Sequence, residues 1–305
     1  MERRHRRSRR RKRLAVLGVA VVALLALARA VASPSAVPSR VHSFFVAGAS
    51  APQVVAHRGG MAEGPENTIE AFRRALARGA DVVEMDVRSS ADGELVVIHD
   101  ATVDRTTDGT GRVDAMPLSA LQSLDAAYRF TPDGVATPLR GRGVRIPTLA
   151  EVFEALPSAR IAVEIKPSDE GSLAAQMCDV IRAAGAEHRT LVASFAEAET
   201  LLFRAACPEV ATAATPPEGF RFWLLGALSG EHPPPDALIV PNRIGPLRIA
   251  TRAFVESARR QGLRVHTWLA NERQEVVTLH DAGLDAVLTD HPERVSRWLR
   301  ERRVE

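Results

Sequence analysis

Lysine is almost missing from this 305-residue chain: of 40 basic residues only Lys12 and Lys166 are not arginine. Cysteine is just as scarce, with Cys178 and Cys207 alone. Neither these two thiols nor any pair of histidines falls at zinc-ligand spacing, so the sequence gives no zinc centre. The two cysteines lie in or beside successive predicted helices and either pair, as an exported protein allows, or stay as buried thiols. A run of about 20 apolar residues, the length that comfortably spans a bilayer, is also missing. The longest uncharged apolar stretch is fifteen residues, 14–28.

That stretch follows thirteen residues holding eight arginines and Lys12 against Glu2. Arg29 and then Ala30-Val31-Ala32-Ser33 come next. A basic start, a short apolar core and small residues at a cleavage position describe a secretory signal cut after Ala32. An uncleaved anchor is the second reading, with Arg29 snorkelling and membrane contact through residues 14–32. Both put the rest of the chain outside the cytoplasm, secreted or membrane-anchored, with the arginines held inside. The chain carries +3 overall. Residues 1–32 take ten basic residues and one acid with them, leaving 30 against 36 and a net charge of −6. The basic character belongs to the leader, so nucleic-acid binding is not expected. Residues 33–52, rich in Ser, Pro and Ala, read as a linker, and 53–305 as one domain.

Four apolar runs in that domain each end in ionisable residues. Val54-Val55-Ala56 leads into His57-Arg58-Gly59-Gly60. Asp81-Val82-Val83 leads into Glu84-Met85-Asp86. Leu95-Val96-Val97-Ile98 ends at His99, and Ile161-Ala162-Val163 at Glu164-Ile165-Lys166. Such runs read as buried strands that deliver charge to one end. Alternation along a strand puts Glu84 and Asp86 on one face, and Glu164 and Lys166 on one face. Asn67-Thr68 opens an amphipathic helix over 69–78. From Lys166 onward helices and strands alternate to a closing helix that starts at Pro292. Counting the strands that end near His57, Asp86 and Lys166, eight strands result. The His99 strand is extra and folds back on the second as a hairpin. Eight βα repeats in about 250 residues predict an α/β fold, a (β/α)8 TIM barrel whose ionisable strand ends share the C-terminal rim. The Gly-, Thr-, Asp- and Pro-rich insertion after the second strand, 101–147, with a short amphipathic piece at 117–124, is expected to overhang that rim.

Glu84, Asp86 and Glu164 converging on one rim would raise each other's pKa. One divalent cation, Mg2+ or Ca2+, relieves this with oxygen ligands; pairing with Arg58, Arg88 or Lys166 is the alternative. His57 and His99 suit proton transfer in both directions. Arg58 suits bidentate contact with a phosphate. Lys166, kept as lysine in an arginine-rich chain, suits a compact ammonium aimed at an oxyanion. The set describes catalysis at phosphorus by positioning and charge neutralisation.

With Pro65-Glu66-Asn67-Thr68, Asp104-Arg105-Thr106-Thr107, Pro147-Thr148-Leu149, Trp268 and Thr289-Asp290-His291-Pro292, these motifs resemble the glycerophosphodiester phosphodiesterase family, in order and from Val54 to the C-terminal helix. The resemblance implies a TIM barrel of the phosphatidylinositol-phospholipase-C-like group. It implies hydrolysis of a small glycerophosphodiester to glycerol 3-phosphate and an alcohol. By residue match, Glu84, Asp86 and Glu164 would hold the metal, and His57 and His99 would be the acid/base pair. Arg58 and Lys166 would hold phosphate, Trp268 would form an aromatic wall, and Glu66 would support the site. Asp290 reads as a helix cap rather than a catalyst. Two alternatives stand beside this. One is a lysophospholipase D or sphingomyelinase D-like enzyme, for which Gly219-Phe220-Arg221-Phe222-Trp223-Leu224-Leu225 offers either an apolar groove or a buried helix face. The other is a non-catalytic exported binding module.

Overall fold

The structure, a computed structural model, describes residues 41–45, 51–168, 171–226, 228 and 233–302. The expected signal or anchor at 1–32 lies outside these. No described helix is long and apolar enough to cross a membrane.

In chain order the elements are β1 (Gln53–Ala56), α1 (Ile69–Ala77), β2 (Val82–Ser89), β3 (Leu95–Val97), α2 (Leu118–Gln122), α3 (Leu149–Ala155), β4 (Arg160–Ile165), α4 (Ala174–Ala183), β5 (Thr190–Ala193), α5 (Glu197–Ala206), β6 (Ala211–Thr212), α6 (Pro216–Leu225), β7 (Ala237–Pro241), β8 (Arg243–Ile244), β9 (Leu247–Arg248), α7 (Arg252–Arg259), β10 (Arg264–Trp268), α8 (Arg273–Ala282), β11 (Ala286–Thr289) and α9 (Pro292–Arg302). Eight strands run parallel in the order β6-β5-β4-β2-β1-β11-β10-β7. The ring closes between β6 and β7 through a parallel bridge at Ala213 and Ala237, where the Ala214 amide donates to the Ala237 carbonyl at 2.7 Å. This is the expected TIM barrel. The hairpin is also as expected: β3 pairs antiparallel with β2, Val97 opposite Val87.

Strands buried on both faces must be apolar throughout, and the two faces build different cores. Outward-facing Ala56, Val83, Met85 and Val163 pack under the helices with Phe72, Phe153, Met177 and Phe203. A second outer layer surrounds β7, β10 and β11, with Phe222, Phe254, Val276 and Val295. Inside the barrel Val55, Val82, Leu191 and Leu288 pack on Phe44 and Phe45, both buried. Cys178 and Cys207 form a disulfide that ties α4 to the end of α5.

Three features depart from expectation. Phe44 and Phe45 fall within the stretch read as a linker, yet they fill the barrel interior, so the domain starts by His42; Ser/Pro/Ala composition concealed two aromatic anchors. The insertion 101–147 does not overhang the cavity described below, to which it contributes no lining residue. Val103, Val113, Leu121, Ala126 and Ile146 instead form a separate small core with Val96 and Ile98 beside the hairpin. The short antiparallel pair β8–β9 was not anticipated, since two-residue strands carry no period. Every named element lies between His42 and Arg302, so the described residues contain a complete barrel.

Candidate active site

Strand register assembles the carboxylates. Asp86 on β2 sits opposite Glu164 on β4, and Glu84 opposite Ala162. Alternation then brings one oxygen from each of Glu84, Asp86 and Glu164 within 4.8 Å of the others. Burial, and next the charge of Asp86, push the Glu84 carboxyl up to about 7. Asp86 is as deeply placed but moves down: burial opposes its charge and is outweighed by Lys166 and by Asn67. Lys166 Nζ lies 2.9 Å from Asp86 Oδ1 and 2.6 Å from Glu164 Oε1. Asn67, with φ of 57°, donates its side-chain amide to Asp86 Oδ2 at 2.9 Å and accepts the Asp86 amide at 3.1 Å. Asparagine tolerates this left-handed backbone better than most residues. Close oxygen ligands, one of them disfavoured as a carboxylate, fit a hard divalent cation.

Each histidine has a carboxylate partner. His57 Nδ1 lies 2.7 Å from Asp290 Oδ1, and Asn271 Nδ2 donates to Asp290 Oδ2 at 2.8 Å. His99 Nδ1 lies 2.6 Å from Asp100 Oδ1, and Arg105 Nε donates to Asp100 Oδ2 at 2.7 Å. A carboxylate at Nδ1 favours the tautomer with its proton there and leaves Nε2 for a substrate. Burial works against a charged His57, but the Asp290 hydrogen bond and the Glu84 charge outweigh it and raise the pKa. The Arg105 hydrogen bonds bring Asp100 down to about 2.

The β1 strand ends in a tight turn, and the turn aims Arg58. Its φ is 51°, a left-handed backbone that costs energy outside glycine. In return its amide donates to Glu84 Oε2 at 2.7 Å. Gly59, at φ 84°, leaves no room for a side chain: a Cβ there would sit 2.8 Å from the Phe72 ring and 2.9 Å from the Ala71 methyl. The Arg58 guanidinium donates to Glu66 at 3.1 Å and lies 3.4 Å from Asp86 Oδ2. Glu66 also takes two hydrogen bonds from Arg105, at 2.6 and 2.8 Å. It is an ionic hub outside the carboxylate trio.

A cavity of about 250 Å³ opens on this rim and descends to Phe44. His57, Arg58, Glu84, His99, Glu164, Lys166 and Trp268 all line it. Asp86 and Glu66 do not line it. Trp268 is 40% exposed and packs edge-to-face on Phe195 at 6.4 Å, so it is a wall residue and not part of the core. In α6, Phe222 is buried against Phe254 while Phe220 is exposed, so the segment serves both as core and as surface. Reasoning from sequence missed Asp290, Asn271, Asp100, Arg105, Asn67 and Phe195. Asp290 does not cap α9: its carboxylate is taken by His57 and Asn271. Asp290, Arg105 and Asn67 stood inside motifs already singled out, and Asp100 directly follows His99, which was the available signal.

A family model described as the glycerophosphoryl diester phosphodiesterase family matches residues 57–294. A glycerophosphodiester phosphodiesterase of Caldanaerobacter subterraneus is 31% identical over 253 residues, covering 81% of this chain and 97% of the relative. The crystal structure of a glycerophosphodiester phosphodiesterase from Agrobacterium tumefaciens superposes with a TM-score of 0.67 at 28% identity, covering 81% of this chain and 99% of that one. An Oleispira antarctica phosphodiesterase in complex with the product sn-glycerol-3-phosphate superposes at 0.65 with 26% identity, covering 82% and 97%.

Proposed function

The chain belongs to the glycerophosphoryl diester phosphodiesterase family and is a phosphoric diester hydrolase, and from that premise we propose that it cleaves glycerophosphodiesters to glycerol 3-phosphate and an alcohol, with His57 and His99 as the proton-transfer pair. The observation that carries the reading is that two histidines, each held at Nδ1 by its own carboxylate, face one cavity beside the carboxylate trio.

Glu84, Asp86 and Glu164 would hold a Mg2+ or Ca2+ ion. Such a cation neutralises phosphate charge and stabilises the transition state of transfer at phosphorus. Arg58 and Lys166 would hold the phosphate oxygens, drawing on positive charge already set against Asp86 and Glu164. One histidine, through Nε2, takes the proton from the glycerol 2-hydroxyl as that oxygen attacks phosphorus. The other gives a proton to the departing alkoxide. Water then opens the cyclic phosphate with the proton roles exchanged, leaving glycerol 3-phosphate. Asp290 and Asp100 hold the rings in place, and Asp290 favours the imidazolium that forms on His57. This pairing of acid and base supports turnover over a binding-only role.

The exposed aromatic pair Phe195 and Trp268 favours a second reading, activity on lysophospholipids whose chain leaves the site over that wall. We place the enzyme outside the cytoplasm, secreted or anchored; the composition of residues 1–32 and the Cys178–Cys207 disulfide support this. The test is product identity. Phosphorus NMR of glycerophosphocholine turnover should show glycerol 3-phosphate, preceded by a cyclic glycerol phosphate. Choline phosphate as product would refute the proposed bond cleavage.

A further inference from the structure

The rim of the barrel is divided. The strands β11, β1, β2 and β4 carry the ionic groups. The neighbouring β5, β7 and β10 are followed by or end in exposed apolar residues: Phe195, the β8–β9 hairpin and Trp268. The hairpin is the part that catalysis leaves unexplained. It leaves β7 at the rim, is closed at its base by the Ile249 amide on the Asn242 carbonyl at 2.9 Å, and has only two residues per strand. Ile244 faces Leu247 across the pair, and Arg243 faces Arg248. Ile244 and Leu247 are 61% and 48% exposed.

Water alone serves neither pair well: Ile244 and Leu247 stay exposed, and the two arginines face each other. Two large aliphatic side chains stand on a hairpin too short to be stable by itself. Two like charges directly opposite each other repel. Arg243 donates only to the Pro246 carbonyl at 3.1 Å, and neither arginine has an acidic partner among the described residues. An anionic lipid surface answers both: the apolar pair enters the boundary of the acyl chains while the arginines meet lipid phosphates.

We propose that the β8–β9 hairpin docks the catalytic rim onto an anionic lipid membrane. Charge complementarity and continuity with the apolar half of the rim select this partner. Docking would bring the cavity mouth to the surface from which lipid-derived diesters are supplied. It goes beyond the catalytic reading and does not depend on turnover.

The test uses the chain from Ser33 onward, which holds every element of the barrel and omits the arginine-rich leader. Its co-flotation with vesicles of phosphatidylglycerol and phosphatidylcholine is compared with Ile244→Asp/Leu247→Asp and with Arg243→Ser/Arg248→Ser. The wild type should bind, and the apolar double variant should lose at least about tenfold in partitioning. The arginine double variant should lose about fivefold per arginine, with the loss confined to vesicles that contain phosphatidylglycerol. Turnover of soluble glycerophosphocholine by both variants shows that they fold, and its value has no bearing on docking. A wild type that stays with the soluble fraction, or variants that float equally well, would overturn the proposal. Should the aspartates prevent folding, the arginine variant decides by itself in the same way.

Discussion

Replacing Asp290 by asparagine removes a charge and almost no volume. Asp290 lies 2.7 Å from His57 Nδ1 and is anchored on its other oxygen by Asn271. A hydrogen bond to a charged group is worth about 1.5–3 kcal/mol. The imidazolium that His57 would become in the proposed proton transfer is where this bond would be strongest. At about 1.4 kcal/mol per factor of ten, kcat should fall by about ten- to a hundredfold. The pH profile should move as well. Burial alone would lower the His57 pKa, and Asp290 is the largest of the opposing influences. Without its charge the pKa falls, so the limb of kcat/KM that reports His57 should shift to lower pH. Steady-state kinetics on glycerophosphocholine across pH, with a melting curve to confirm folding, reads both effects. An unchanged kcat and an unmoved limb, with His57→Ala still inactive, would refute the idea that Asp290 acts through His57.

Other substitutions probe separate parts of the account. Glu84 has a raised folded pKa, so the stability it contributes is present below its unfolded value and is lost as pH rises through about 7. Glu84→Gln, neutral throughout, should melt higher than wild type in EDTA above that pH, and should lose the rise in Tm that Mg2+ or Ca2+ gives the wild type; calorimetry checks both. Opening the Cys178–Cys207 disulfide, which spans 29 residues, should cost about 3–4 kcal/mol of unfolding free energy on a chain-entropy argument. Urea titrations of Cys178→Ser/Cys207→Ser read this, and two free thiols in the untreated wild type would contradict the pairing. Phe44→Ala should cost about 3–5 kcal/mol, the range for a buried phenylalanine; a change near zero would return residues 41–45 to the linker.

How far the sequence could be read follows from what kind of order fixes each feature. The barrel and the trio of Glu84, Asp86 and Glu164 were legible because both rest on local period: βα alternation, and carboxylates two residues apart on a strand. Strand ends also revealed His57, His99 and Lys166. The partners of the histidines were harder. Asp290 meets His57 from 233 residues away, and only barrel closure between β1 and β11 brings them together. Asn271 has no motif of its own. Arg105 was visible as a motif, but its link to Glu66 and Asp100 depends on how the insertion folds, and its long irregular stretch suggested a lid where the chain builds a small side core. Phe44 and Phe45 were hidden by the composition around them, and the β8–β9 hairpin by its brevity.

The most direct test of the central claim is glycerol 3-phosphate release from glycerophosphocholine by wild type, His57→Ala and His99→Ala, each with Mg2+ or Ca2+ and again with EDTA. The wild type should release product until chelation abolishes it, and each histidine variant should lose about a hundredfold or more. Release that persists in EDTA, or that survives loss of either histidine at the wild-type rate, would contradict it.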